Sequence, residues 1–175
     1  TKDVFLVYGE RDLEVTGYID ASFQSDKDDY KSQSGYMFIL CGGAVSWKSS
    51  KQSTIADSTT EAEYIAASEA AKEAVWIKKF ITELGVVPSI NEPVVLLCDN
   101  NGAVAQAKEP RSHHRSKHVL RKYHLIREFV GNQDVKIDRV PTDQNIAYPL
   151  TKALSQKKHD NHVYSYGIRY KGDWL

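Results

Sequence analysis

Along residues 12–19 apolar positions alternate with polar ones, placing Leu13, Val15, Gly17 and Ile19 on one face. This two-residue period predicts a half-buried strand that ends at Asp20. The polar loop 22–33 follows, and then two strand-like runs, 35–41 and 44–49, flank Gly42 and Gly43. Glycines supply the positive φ that a tight turn needs, so the pair reads as a hairpin. From Thr60 the period changes. Ala62, Ala66, Ala70, Ala74, Ile77, Ile81 and Leu84 recur every three or four residues, which predicts one long helix stopped by Gly85. The unbroken apolar run 94–98 predicts a strand buried on both faces that delivers Asp99 at its end. A short helix over 101–108 is expected next. An amphipathic helix then carries Val119, Tyr123, Ile126 and Val130, and a strand runs through Val135, Ile137, Arg139 and Val140. After Pro141 the pattern predicts a last helix from about Asp143 through Leu154. The tail holds Tyr164, Tyr166, Tyr170 and Trp174, too many aromatics to stay unpacked. Three meandering strands, then helices alternating with two more strands, make an α/β fold: a mixed sheet with helices on its faces.

Composition narrows the class. A chain of 175 residues, 41% apolar and 26% charged, fits a single domain over 1–175 with one core, and not a disordered or fibrous protein. No apolar run approaches the roughly 20 residues of a membrane helix, and the start lacks the basic and apolar regions of a signal peptide. A soluble intracellular protein is expected. Cys41 and Cys98 both lie in apolar runs and read as buried thiols more than as a disulfide framework. Net charge is zero, which argues against coating nucleic acid by bulk electrostatics. Yet residues 108–127 hold seven Lys or Arg, four of the six His and one acid, Glu109, the local excess of a phosphate-contacting surface.

Three acids fall where a fold of this kind presents side chains to a common site: Asp20 at a strand end, Glu61 in the first turn of the long helix, and Asp99 after the buried strand. Carboxylates gathered in one cleft repel one another unless cations neutralise them, and hard oxygen ligands suit Mg²⁺ or Mn²⁺. Two such ions about 4 Å apart can activate a water and stabilise the leaving oxygen in phosphodiester cleavage. Each acid also has a structural reading. Asp20 suits a turn, Asp99 suits a helix start, and Glu61 suits a capping box begun by Ser58, in competition with a box of Thr60 and Glu63.

Successive stretches resemble, in order, the signatures of the ribonuclease H domain of copia-type LTR retrotransposon polyproteins. They are GYIDASF (17–23), KSQSGYMFIL with GGAVSWKSSKQST (31–54), STTEAEYIAASEA (58–70), LLCDNNGAVAQA (96–107), SKHVLRKYHLIRE (116–128) and VPTDQNIA with PLTKAL (140–154). The resemblance runs from about Leu13 to Tyr170. It implies a ribonuclease H-like fold, a five-stranded mixed β-sheet flanked by α-helices. It also implies hydrolysis of the RNA strand of RNA/DNA hybrids with two Mg²⁺ ions, Mn²⁺ serving as substitute. Asp20 would bridge both ions, with Glu61 and Asp99 as further ligands. The implied partners are the hybrid and the reverse transcriptase domain of the same polyprotein, in cytoplasmic particles of the element or in the nucleus. Residues 1–12 then read as the connection from that reverse transcriptase and 155–175 as a C-terminal extension.

One departure matters. The family's last motif, A-D-P-x-T-K, carries a fourth carboxylate, whereas this chain has Ala147-Tyr148-Pro149-Leu150-Thr151-Lys152. A phenol is uncharged at neutral pH, a poor Mg²⁺ ligand and bulkier than a carboxylate, so metal binding on that side should weaken. Tyr148 is open to three accounts: a natural lesion, a deliberate inactivation, or a variant in which water or Asp143 replaces the ligand.

An RNA/DNA hybrid is read by backbone shape and 2′-hydroxyls, for which Ser58, Thr59, Thr60, Asn100 and Asn101 suit as well as for capping helices. Arg111, Arg115, Lys117, Arg121 and Lys122 are the expected phosphate contacts, with Lys48 and Lys51 as further candidates. His114 and His118 are poor zinc ligands among so many cations, and 131–148 offers no catalytic histidine. Hybrid binding without cleavage, and another nuclease on a related sheet, are the competing functions. If the basic segment meets phosphates, hybrid affinity measured by fluorescence anisotropy should fall linearly in a log–log plot against salt concentration. A flat line would remove that segment from the interface.

Overall fold

A computed structural model describes residues 2–9, 13–85, 91–109 and 120–174, the last stretch with side chains from 125 to 172. In chain order the elements are β1 (Val4–Leu6), β2 (Thr16–Ser22), β3 (Gln33–Leu40), β4 (Gly43–Lys51), α1 (Thr59–Leu84), β5 (Val94–Cys98), α2 (Asn101–Lys108), α3 (Leu120–Gly131), β6 (Val135–Arg139), α4 (Gln156–Ser165) and β7 (Ile168–Tyr170). Five strands form one sheet in the order β4-β3-β2-β5-β6. β2 lies at its centre, antiparallel to β3 and parallel to β5, and β5 is parallel to β6. This is the mixed sheet expected from the meander and the later crossovers.

The alanine stripe determines how the long helix packs. Ala62, Ala66, Ala70 and Ala74 are all buried, and their small side chains let the α1 backbone approach β2 and β3 closely. Gly17 makes room on the sheet itself, for side chains of the two neighbouring strands. A Cβ there would stand 2.6 Å from both Leu96 Cδ2 and Phe38 Cε1. Phe38, Tyr64, Ile65 and Leu96 fill the volume between, with Ile126 of α3 and Ile137 of β6 closing the same core. Ser58 caps the start of α1 by accepting from the Glu61 amide at 3.1 Å, and Gly85 ends it with φ 67°.

Several expectations need correction. β2 does not stop at Asp20 but continues to Ser22, because Asp20, Ala21 and Ser22 stay paired with β3. β5 is not buried on both faces: Val95 and Leu97 are half-buried while Val94, Leu96 and Cys98 face the core. The helix expected from Asp143 through Leu154 is absent. Two short 3-10 turns, Thr142–Gln144 and Tyr148–Leu150, take its place, and α4 begins only at Gln156. The cause is Asn145, fully buried, whose Nδ2 donates to the Ile19 carbonyl at 2.7 Å while its Oδ1 accepts from the Ala147 amide at 3.1 Å. A side chain bonded in that way competes with helical hydrogen bonding, and Pro149 lacks the amide a helix would use. Cys98 is buried and Cys41 half-buried at a positive φ of 51°, and both are free. The tail does pack: β7 pairs antiparallel with β1, Val4 opposite Tyr170. Among the described residues no helix is long and apolar enough to cross a membrane.

Gly17→Ala tests how tightly Phe38 and Leu96 pack over β2. Two contacts at 2.6 Å force the core to shift, so urea unfolding should show a loss of about 1–3 kcal/mol. An unchanged midpoint would mean that the core has room to spare.

Candidate active site

Asp20 is fully buried on the central strand, and the residues on either side of it are committed to other elements. β5 runs beside β2 only as far as Cys98 opposite Ile19, so beyond that point one edge of β2 lacks a strand partner. The Ala21 amide on that edge donates to Glu63 Oε1 at 3.0 Å. The Ile19 carbonyl takes Asn145, as described above. Asp20 itself accepts from the Thr151 hydroxyl and meets Lys152 Nζ, which is 2.9 Å from both carboxylate oxygens.

The acid that α1 brings to Asp20 is therefore Glu63. Glu61, expected there from the sequence, turns back to the helix start: its Oε2 accepts from the Asp57 amide at 2.7 Å and its own amide is capped by Ser58. The capping reading of Glu61 describes what the side chain does. Glu63 is only 6% exposed. The signal was in the spacing, because Glu63, Ala67, Ala70, Ala74, Ile77 and Ile81 form one buried stripe, and a carboxylate at the head of a core-facing stripe must meet something charged or polar. Asp99, half-buried, follows β5 as expected. A carboxylate oxygen of Glu63, one of Asp99 and Cys98 Sγ all lie within 4.8 Å of one another.

The electrostatics show strain. Burial, then Asp20 and Asp99, push the Glu63 carboxyl up to about 8. Burial also raises Asp20, against the hydrogen bonds from Thr151 and Lys152 that lower it. The Cys98 thiol, 3.8 Å from Glu63 Oε2, is pushed up by burial and by that carboxylate, and stays protonated as a donor. Three oxygen-bearing acids that repel one another, two of them buried, have the donor chemistry that fits a hard divalent cation.

Tyr148 opens the turn that carries Thr151 and Lys152. Its ring lies under the Lys152 ammonium, 4.2 Å from the centroid, and so steadies the cation on Asp20. Asp143 stands exposed on the preceding turn. It shares with Tyr148, Tyr18, His162 and Arg169 the lining of a cavity of about 950 Å³ between the sheet and α4.

The expected nucleic-acid readers divide. Thr60 and Asn100 come together, Thr60 Oγ1 donating to Asn100 Oδ1 at 3.3 Å while Asn100 caps α2 through the Ala103 amide at 3.0 Å. Gly102 packs against Thr60, so the starts of α1 and α2 lie side by side near the carboxylates. Ser58, Thr59 and Asn101 are exposed at those helix starts. Lys48 is exposed on β4, but Lys51 is held by Asp26 and Asp29 at 2.6 and 2.9 Å and is not a free phosphate contact. Arg111, Arg115, Lys117, His114 and His118 lie outside the described residues, and Arg121 and Lys122 are described only as part of the α3 backbone.

Sheet order, helix placement and the acids around β2 define a ribonuclease H fold. The chain superposes on RNase H1 isolated from compost by a metagenomic approach with a TM-score of 0.56 at 14% identity, covering 80% of this chain and 94% of that one. It superposes equally well, 0.56 at 18% identity, on part of the foamy viral protease-reverse transcriptase in complex with RNA/DNA hybrid, covering 79% of this chain and 19% of that one. By sequence the chain belongs with the copia-type retrotransposon Pol polyproteins. It is 41% identical over 155 residues to the Pol polyprotein of transposon TNT 1-94 of Nicotiana tabacum and 37% identical over 165 residues to that of transposon RE1 of Arabidopsis thaliana. These matches cover 89% and 94% of this chain, which spans only 11% of each relative. No protein-family model matches it.

The raised Glu63 makes stability depend on pH. Folding favours its protonated form, so this contribution is complete below the ordinary value of 4.5 and is lost as pH climbs toward about 8. In chelator, the melting temperature of the wild-type chain should fall across that window. Glu63→Gln should flatten the fall, leaving the variant more stable than wild type at pH 8 but not at pH 4. Parallel curves for the two proteins would refute the placement of Glu63 among the acids.

Proposed function

We propose that this chain is a metal-dependent ribonuclease H that hydrolyses the RNA strand of RNA/DNA hybrids during reverse transcription of a retrotransposon. In this reading Asp20, Glu63 and Asp99 are the metal ligands, and Tyr148 stands where a fourth carboxylate would complete the set. The observation that carries it is the convergence of those three acids at the open edge of β2 on a ribonuclease H fold. Glu63 replaces Glu61 in the ligand set for the geometric reasons given above. Mg²⁺ or Mn²⁺ would supply activation of a water and stabilisation of the leaving 3′ oxygen.

The chain's own residues have distinct tasks. Asp20 is held rigid by its strand and by Thr151. Glu63 is aimed by the Ala21 amide, and Asp99, at the end of β5, stands nearest solvent. The paired helix starts at Thr60 and Asn100 present hydroxyl, amide and backbone N–H groups beside the acids, a surface suited to 2′-hydroxyls and phosphates. Lys152 balances part of the charge on Asp20 and is placed to meet a phosphate when it leaves that carboxylate. The reverse transcriptase of the same polyprotein is the proposed neighbour in the chain.

A second reading, hybrid binding without cleavage, is favoured by one feature. Lys152 contacts both oxygens of Asp20 and is braced by Tyr148. Cleavage of an end-labelled hybrid in Mg²⁺ and in Mn²⁺ separates the two. We expect slow cutting by this chain, faster cutting by Tyr148→Asp, and losses of about a hundredfold or more for Asp20→Asn and Glu63→Gln. Glu61→Gln should stay within a few-fold of wild type. Hybrid bound but uncut by wild type and by Tyr148→Asp alike would leave the binding reading standing.

A further inference from the structure

Gln52 follows β4 and is 2% exposed, a polar side chain sealed under the start of α1. Its Nε2 uses both hydrogens, one to Ser34 Oγ and one to the Ala62 carbonyl, each at 2.8 Å. Its backbone amide donates to the Ser32 carbonyl at 2.8 Å, which fixes the residue to the start of β3. Its Oε1 is buried without a hydrogen-bond partner. The reversed amide is excluded, because it would point Oε1 at the Ala62 carbonyl and set two acceptors face to face.

An unpartnered buried carbonyl is costly, and a leucine of similar volume would fill the space without it. What leucine lacks is a pair of N–H donors at a fixed angle. The two acceptors are not arbitrary. Ala62 adjoins Glu63 in the first turn of α1, and Ser34 lies opposite Ala21 in the β2–β3 register. The Ala21 amide is the donor that holds Glu63 Oε1. Gln52, Ala62, Glu63, Ala21 and Ser34 therefore close a ring of covalent links, strand pairing and hydrogen bonds around one carboxylate. The Ala62 carbonyl belongs to the first turn of a helix, where rotation of the turn by a few degrees would swing Glu63 away from Asp99.

We infer that Gln52 is a positioning residue: it locks the first turn of α1 to β3 so that Glu63 stays aimed at Asp20 and Asp99. The inference rests on the reading of Glu63 as a metal ligand. It makes the orphaned Oε1 a consequence of function, since the amide is retained for its two donors.

A double-mutant cycle read by Mn²⁺ binding, with free Mn²⁺ followed by electron paramagnetic resonance, tests it. The proteins are the wild-type chain, Gln52→Leu, Glu63→Gln, the double variant, and Ser34→Ala, each with a thermal melt. Gln52→Leu should melt within a few degrees of wild type yet bind Mn²⁺ about tenfold more weakly, as loss of a ligand's outer support does. In the Glu63→Gln background the same change should have no further effect, because residues acting through one group are not additive. Should Gln52→Leu fail to fold, Ser34→Ala, which removes one bond of the ring, is carried through the same cycle with a smaller loss expected. Wild-type affinity in Gln52→Leu, or losses that simply add, would overturn the inference while leaving Glu63 a ligand. Unchanged affinity in Glu63→Gln itself would overturn the ligand reading and the inference together.

Discussion

Three consecutive residues of the central strand bear the charges and ties on which this molecule depends. Ile19 receives the loop that carries Tyr148 and Lys152, Asp20 receives the ammonium and a hydroxyl, and Ala21 receives Glu63 from the long helix. They can do so because β5 ends opposite Ile19 and leaves one edge of β2 without a strand partner. Backbone groups that a longer β5 would have consumed are free to hold side chains. The site thus arises from a difference in strand length, at the place where parallel strands end and α/β proteins commonly bind ligands.

The alanines of α1 follow from that geometry. For Glu63 to reach a backbone amide in the middle of the sheet, the helix must lie close to it, which bulky side chains along the contact would prevent. Ala62, Ala66, Ala70 and Ala74 permit the approach. Close packing and the placement of the Glu63 carboxylate are one requirement here. A small-residue stripe that contributes little hydrophobic area per residue is the condition for a buried carboxylate to find its partner.

Periodicity along the chain was enough to locate α1, β5 and α2, because each has a clean three-to-four or unbroken apolar pattern between strong stop signals. It failed over 143–154. There the pattern is helical in spacing, but Asn145 is pulled into the sheet by a residue 126 positions earlier in the chain, and no local rule foresees that. Of the three acids proposed as ligands, the sequence pointed to two. Asp99 follows from the end of β5 and Asp20 from the apolar alternation of β2, although that strand runs two residues past it; Glu63 does not follow, because a capping box explains Glu61 and Glu63 about equally well by spacing. What separates them is that Glu63 continues the buried stripe and Glu61 does not. The role of Gln52 was not visible at all, since it depends on Ser34 and Ala62 meeting across the sheet.

Tyr148 bears on the charge balance around Asp20. Asp20 and Glu63 already lie in an environment that pushes their carboxyls upward, and a fourth acid at 148 would add repulsion that only a bound cation relieves. An aromatic at that position adds none, and it steadies the Lys152 ammonium on Asp20. Position 148 therefore sets two demands against each other: an aromatic suits the fold when divalent ions are scarce, whereas a further carboxylate would suit a bound cation. Active centres commonly carry this opposition, since the charges that bind a metal tightly are those the folded chain tolerates least without it. In this chain an internal ammonium, that of Lys152, supplies part of the charge that the buried carboxylates require.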